Sequence, residues 1–506
     1  MDARNSKIAK NTGFLYFRSI VCLLLSLYSS RLILQALGVE DFGIYNAVGG
    51  LASMFWIVSS TLSTAVGRYM NYEVGNNNQT GVNEVFSISL NIMIILAIIV
   101  VVLSESVGLW FLSNKMTIPA DRMMTAFLIF HLSVFSVVLG FIAIPFSTAI
   151  NVHEKMGFVA FYNIIEILLK LIIALVLTFG NLAINKLFLY SILMAVNTVF
   201  VYSLIYIYAW RNFQECRFRW VMRKKKLIEM FRFAWWNFIS SISETFSNQG
   251  INMVLNVTHG PVLNTARGIT DTVTKNVSLL VYNFTVSTNP QLTQSYATGD
   301  LHRVRYLSFR GTQFASYLMF LFLIPLCLET SFTLYIWLGI VPVHTVAFIR
   351  LSLISSLFYV FDYMFVTVKL ATGDIKRYKL TISLLTFMNF PLSYLVLTKG
   401  MILELIYVIP LIVAFIKVFV TLFFVRGALN ITLSDLFQIY RPIVCVFFVA
   451  VIPPFYLHIS MNEGWLRFIL TIIVSVFCTV ISAFFIGCDK KERITIVNII
   501  KQYCLS

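Results

Sequence analysis

Runs of about twenty apolar residues recur along the whole chain, separated by short polar breaks. A helix rises about 1.5 Å per residue, so each run is long enough to cross ~30 Å of hydrocarbon. The pattern predicts spanning helices over 14–38, 42–70, 84–112, 120–150, 157–180 and 185–210, followed by a polar connector over 211–231. A second set lies over 232–257, 266–290, 306–329, 343–369, 377–398 and 402–425, with a last pair at 440–459 and 464–487. The break between the ninth and tenth spans, Glu329 to Val343, is only moderately apolar and is the least sharply marked. Hydrocarbon offers the backbone no hydrogen bonds, so these segments must be helical. The expected fold is an all-α, polytopic integral membrane protein of about fourteen transmembrane helices.

The order of features repeats. Leu37-Gly38 closes the first span, and the second ends in Tyr72-Glu73-Val74-Gly75-Asn76. His259-Gly260 closes the seventh, and the eighth ends in Tyr296-Ala297-Thr298-Gly299-Asp300. Six spans separate the copies, an even number, so both enter the membrane in the same direction, as in parallel repeats related by an axis along the membrane normal. Two six-helix lobes follow: an N-lobe over 1–210 and a C-lobe over 232–425, joined by the 211–231 connector. Residues 426–506 supply two extra helices and a tail.

Composition agrees and adds an orientation. Of the 506 residues 59% are hydrophobic and 12% charged, too little polar surface for a soluble globule, and the net charge is +16. Lys and Arg concentrate at the N-terminus, in the even-to-odd loops, in the connector (Arg217, Arg219, Arg223, Lys224, Lys225, Lys226) and in the tail (Lys490, Lys491, Arg493). The opposite side holds only Lys115, Arg122, Lys186, Arg267, Lys399 and Arg467. By the positive-inside rule both termini lie in the cytoplasm. The basic run thus reads as topology and contact with anionic membrane lipids rather than nucleic-acid binding. Seven cysteines are scattered singly, suggesting neither disulfides nor a metal site, and no GxxxxGK[ST] phosphate loop or catalytic triad stands out.

Polar residues inside spans are the candidate functional positions, because a charge at the bilayer centre costs about 2.5–3.5 kcal/mol on insertion scales. In the eighth span Arg267, Asp271, Lys275, Ser278, Tyr282, Thr285 and Asn289 recur every three or four residues, forming one stripe. The second span shows Asn46, Ser53, Ser60, Thr64 and Asn71, and the seventh Asn237, Ser241, Glu244 and Asn248. Two readings stand: the stripes line a water-filled cavity, or they bond helix to helix. Asp271 with Lys275, and Glu166 with Lys170, have the spacing of ion pairs along a helix. Arg31, Arg350 and Lys417 add cations and Asp362 an acid, Lys417 having no partner visible in sequence. Summed over the expected lumen, Arg31, Arg267, Lys275, Arg350 and Lys417 outnumber Glu244, Asp271 and Asp362, which suits an anionic, phosphate-bearing cargo. An unpaired Glu244 at mid-span could exchange protons or ligate sodium, so H+ or Na+ is the candidate coupling ion; no other cofactor is expected.

The stretch from Arg31 through Leu37-Gly38 to Phe42-Gly43 and Tyr45 resembles the opening motif of bacterial polysaccharide repeat-unit flippases. These belong to the multidrug/oligosaccharidyl-lipid/polysaccharide exporter superfamily. The architecture, with two MATE-like six-helix lobes, a basic connector and two extra helices, is similar over nearly the whole chain. The resemblance implies a non-enzymatic flippase of the bacterial inner membrane. It would carry undecaprenyl-diphosphate-linked repeat units for O-antigen, capsule or exopolysaccharide by alternating access. It further implies a cationic cavity, with Arg31 on the family's motif, and a polysaccharide polymerase and a chain-length regulator as partners. Alternatives are a cation-coupled multidrug antiporter of the same fold, a lipid II flippase, or a multi-span glycosyltransferase or polymerase, the last disfavoured by the short outer loops.

Overall fold

The computed structural model describes residues 3–75, 78–153, 155–180, 185–217, 228, 238–490, 492–494 and 497. The core of the basic connector, Asn237 and the side chain of Ser60 lie outside the described residues.

Within the described residues every expected span is built of helix, and no strand is present. The first span and the start of the second form α1 (Ala3–Ser53), which turns sharply at Gly38 (φ 80°, ψ 172°). The rest of the second span is α2 (Trp56–Gly75). The third span comprises α3 (Gln79–Leu103), a π-turn at Ser104–Gly108 and α4 (Leu109–Asn114). Then come α5 (Met123–Val152), α6 (Met156–Phe179) and α7 (Lys186–Asn212). The seventh span is α8, described over 238–245, a π-turn at Phe246–Gly250 and α9 (Ile251–His259). Next are α10 (Pro261–Ala297) and α11 (Leu301–Leu328). The ill-marked break after Glu329 holds a short unexpected helix, α12 (Thr330–Leu338). Finally α13 (Thr345–Ala371), α14 (Lys376–Thr398), α15 (Leu405–Leu429), α16 (Leu433–Ser460) and α17 (Trp465–Ser482), extended by a π-turn to Gly487, complete the chain.

Among the described residues, ten of these stretches are long and apolar enough to cross a membrane by length and composition alone. Helices α1, α2 and α10 and the α8–α9 segment, which carry the polar residues of the first, second, seventh and eighth spans, are not among them.

Local sequence explains the helix ends. Asn78, Asn185 and Asp300 accept backbone N–H groups at the starts of α3, α7 and α11, and Thr432 with Asp435 forms a capping box on α16. The repeat is visible in the backbone: Gly260 (φ 78°, ψ −177°) has the conformation of Gly38 and leads into α10 at Pro261. That region suits glycine because a side chain is strained there. The second expected span breaks at Met54-Phe55, where N–H groups bond carbonyls three residues back. Behind the break Trp56 packs edge-on to Phe141, its ring against Gly140 of α5. A tertiary contact of this kind has no signature in a hydropathy pattern.

The chain forms two compact units, one of residues 1–269 with 379–406 and the other of 270–378 with 407–506. The first contains two apolar cores. One draws on α2, α3, α5 and α7 around Phe86, Phe141 and Phe146; the other, on α1, α5, α6 and α7 around Ile44, Ile129 and Phe130. In the second unit α11 is central, packing against α13, α16 and α17.

Candidate functional site

In the first unit the segment of α1 behind Gly38 lies against the start of α10. Gly43 allows the approach, since a Cβ there would sit 2.0 Å from the Pro261 carbonyl oxygen. Thr265 Oγ1 donates to the Val39 carbonyl at 2.5 Å. Beside this contact lies a buried amide network: Asn264 Nδ2 donates to both Asn252 O and Asn252 Oδ1 at 2.7 Å, and Asn256 Nδ2 reaches Asn264 Oδ1 at 3.3 Å. Arg267, 7% exposed, donates to the Asn248 carbonyl in the π-turn at 3.1 Å. Arg31 is half-buried on α1. Asn46 and Ser53 bond their own helix, to Phe42 O at 3.0 Å and Gly50 O at 2.9 Å.

The polar face of α8 divides in two. Ser240 pairs with Ser383 at 2.9 Å, and Ser247 accepts from Asn389 at 3.0 Å, tying α8 and its π-turn to α14. Glu244 and Asn248 are exposed. Glu244 has a basic neighbour that its own helix does not reveal: its charge acts on Lys379 of α14.

The stripe on α10 divides likewise in the second unit. One edge is glue: Thr274 donates to Ser352 at 3.0 Å, Ser278 to Ser356 at 3.4 Å, and Asn289 Oδ1 accepts from Thr367 at 3.2 Å, all on α13. A constant offset of 78 residues along these pairs means the two helices run parallel. The other edge is accessible. Lys275 is exposed, with its ammonium 3.6 Å from Asp271, and Tyr282 is exposed with its ring edge-on to Tyr363. The helix-to-helix reading therefore describes one edge of the stripe.

The remaining cations are engaged within the second unit. Arg350 donates to Thr330 Oγ1 at 3.2 Å and to Leu328 O at 3.4 Å, so a cation meets the negative C-terminal end of α11. Lys417, 8% exposed, stands 5.2 Å from the Tyr359 ring, and its charge acts on Asp362. Asp362, also 8% exposed, accepts from Thr421 at 3.2 Å. The acid that Lys417 lacked in sequence is thus Asp362, 55 residues earlier.

One cluster escaped sequence reading. Glu329, 1% exposed, accepts from His458 at 2.8 Å, Arg467 at 2.9 Å and Thr471 at 3.3 Å, which joins the end of α11 to α16 and α17. Its only sequence signal was a carboxylate beside an apolar run. In sequence Arg467 counts only among the few cations of the outer side. The expected pair Glu166–Lys170 is present at 2.6 Å.

Comparison with known proteins places this arrangement. A family model described as polysaccharide biosynthesis protein matches residues 8–287. No curated protein matches the chain. Among solved structures the chain is similar to an inward-facing multidrug resistance transporter of the MATE family and MOP superfamily, at 12% identity, covering 82% of this chain and 98% of that one, with a TM-score of 0.64. It is also similar to lipid II flippase MurJ in an inward closed conformation, at 12% identity, covering 93% and 98%, with a TM-score of 0.65. A third is a MOP superfamily transporter from Pyrococcus furiosus, at 12% identity, covering 82% and 96%, with a TM-score of 0.57. Identities this low establish a shared fold.

Proposed function

We propose, from the premise that the chain belongs to the polysaccharide biosynthesis protein family, that it is a flippase for lipid-linked oligosaccharides. It moves undecaprenyl-diphosphate-linked repeat units of a surface polysaccharide across the bacterial inner membrane by alternating access, with both termini in the cytoplasm. The observation that carries the reading is the family match over residues 8–287 on a fold shared with a lipid II flippase. Likeness to that flippase extends over 93% of the chain, against 82% for the multidrug transporter.

Of the five cations, Lys275 has an exposed side chain and suits the diphosphate role, and Arg31, half-buried on α1, stands on the motif. A guanidinium and an ammonium compensate phosphate charge when the headgroup leaves water. Arg267, Arg350 and Lys417 are held by partners inside the fold and act as scaffold. Glu244, exposed and near Lys379, is the coupling residue of the proposal, with H+ or Na+ as its ion.

The test is transport by the purified protein in vesicles loaded with an undecaprenyl-diphosphate-linked oligosaccharide. Flipping should fall at least tenfold in Lys275→Glu at unchanged protein level. An imposed pH or sodium gradient should drive it in the parent but not in Glu244→Gln. Vesicles that expel cationic drugs yet leave the lipid-linked sugar in place would overturn the assignment.

A further inference from the structure

A cleft of about 560 Å³ opens at one end of the second unit, between the first turns of α11 and α16 and the π-turn that follows α17. We propose that it binds a phospholipid headgroup that is zwitterionic and carries a primary ammonium, as phosphatidylethanolamine does. The proposal is independent of the transport reading and of which leaflet the cleft faces.

The charges at the cleft are of two kinds. Arg310, only 14% exposed, is committed: it pairs with Asp489 and with Glu492 (3.1 Å), and it donates to Gln313 Oε1 at 2.6 Å and to the Gly487 carbonyl at 3.2 Å. Its role is to hold Asp489 in place. The Asp489 carboxylate itself is 69% exposed, so it retains acceptor capacity toward the opening. Across the cleft Arg441, two turns into α16, is exposed, its guanidinium 5.6 Å from the Phe437 ring. Among the described residues that line the cleft, the mouth therefore presents one available anion and one available cation.

That pairing selects a zwitterion. Arg441 can donate to a phosphate, and Asp489 can accept from a primary ammonium. A headgroup with phosphate alone would satisfy Arg441 but bring like charge to Asp489. A quaternary ammonium has no N–H to donate.

The walls suit a lipid rather than a soluble phosphate ester. Phe437 (63% exposed), Cys445 and Ile486 (41%) line the cleft and are open to the outside, offering acyl chains an apolar flank. Helix α16 has 28 residues, about 42 Å of rise, against ~30 Å of hydrocarbon. The surplus of about 12 Å leaves room for its first two turns, as far as Arg441, to reach the headgroups.

The experiment is native mass spectrometry of the full-length protein with equimolar phosphatidylethanolamine, phosphatidylglycerol and phosphatidylcholine of identical acyl chains. The ethanolamine lipid should be retained at collision energies that strip the other two. Arg441→Gln should weaken that retention about tenfold, the effect of one lost charge-assisted contact. Asp489→Asn should erase the preference for ethanolamine over choline. Because Asp489 also anchors Arg310, Cys445→Trp provides a second variant that fills the cleft and leaves the ion pairs intact. It should abolish retention without lowering the melting temperature. Equal retention of ethanolamine and choline lipids by the parent, preference for the glycerol lipid, or undiminished retention in Cys445→Trp would each overturn the proposal.

Discussion

Replacing Gly43 by Ala tests the close approach of α1 to α10 most directly. The added Cβ would lie 2.0 Å from Pro261 O, 2.7 Å from Pro261 C and 2.9 Å from Thr265 Oγ1. Two of these atoms are backbone and cannot rotate away, so the segments must part by roughly 1.4 Å to restore ordinary contact. A shift of that size stretches the 2.5 Å bond from Thr265 to Val39 beyond hydrogen-bonding distance. Overpacking costs about 1–3 kcal/mol, and the lost bond adds about 1 kcal/mol. Ala is better than Gly within a helix by about 0.5–1 kcal/mol, which offsets part of this. The net expectation is a loss of about 1–3.5 kcal/mol, read as a fall of roughly 1–5 °C in the melting temperature of the detergent-purified protein, since a chain of this size shifts by only about 1–2 °C per kcal/mol. Gly49→Ala is the control, because its nearest neighbour is Ser133 Oγ at an unstrained 3.8 Å. It should melt at or slightly above the parent. If Gly43→Ala also melts there, the argument from close packing is wrong.

Lys417→Met leaves Asp362 buried without its cation and should destabilise by about 3–5 kcal/mol; adding Asp362→Asn should restore most of the loss, and a double variant no better than the single would show the pair is not coupled. Glu329→Gln should lower the melting temperature and expose the loop between α16 and α17 to protease, whereas Glu463→Gln, at an exposed carboxylate in that loop, should do neither. Burial, reinforced by the neighbouring Glu215, pushes the Cys216 thiol well above its usual range, so the thiol stays protonated as the pH rises from 7 to 9. Iodoacetamide should therefore modify Cys216 only after denaturation; rapid labelling of the native protein at pH 8 would refute the buried placement.

Sequence alone determined the parts of this protein that depend on solvent or on near neighbours. Hydrocarbon leaves the backbone only its own hydrogen bonds, so run length dictated the fourteen helical spans. The positions of Gly38 and Gly260 marked the repeat because glycine tolerates the φ near +80° that both adopt. Pairs four residues apart, Glu166 with Lys170 and Asp271 with Lys275, were legible because helix geometry alone brings them together.

Tertiary structure decided the rest. Whether a polar residue on a stripe bonds a neighbour or stays open depends on which helix lies beside it. Ser278 meets Ser356, while Lys275, one turn away, meets no second helix in its ion pair with Asp271. The partners of Lys417, Arg350 and Glu329 come from distant segments, and so does the carbonyl that excludes a side chain at Gly43. Hydropathy encodes depth in the membrane but not azimuth around a helix axis relative to a particular neighbour, and it is azimuth that chooses these contacts.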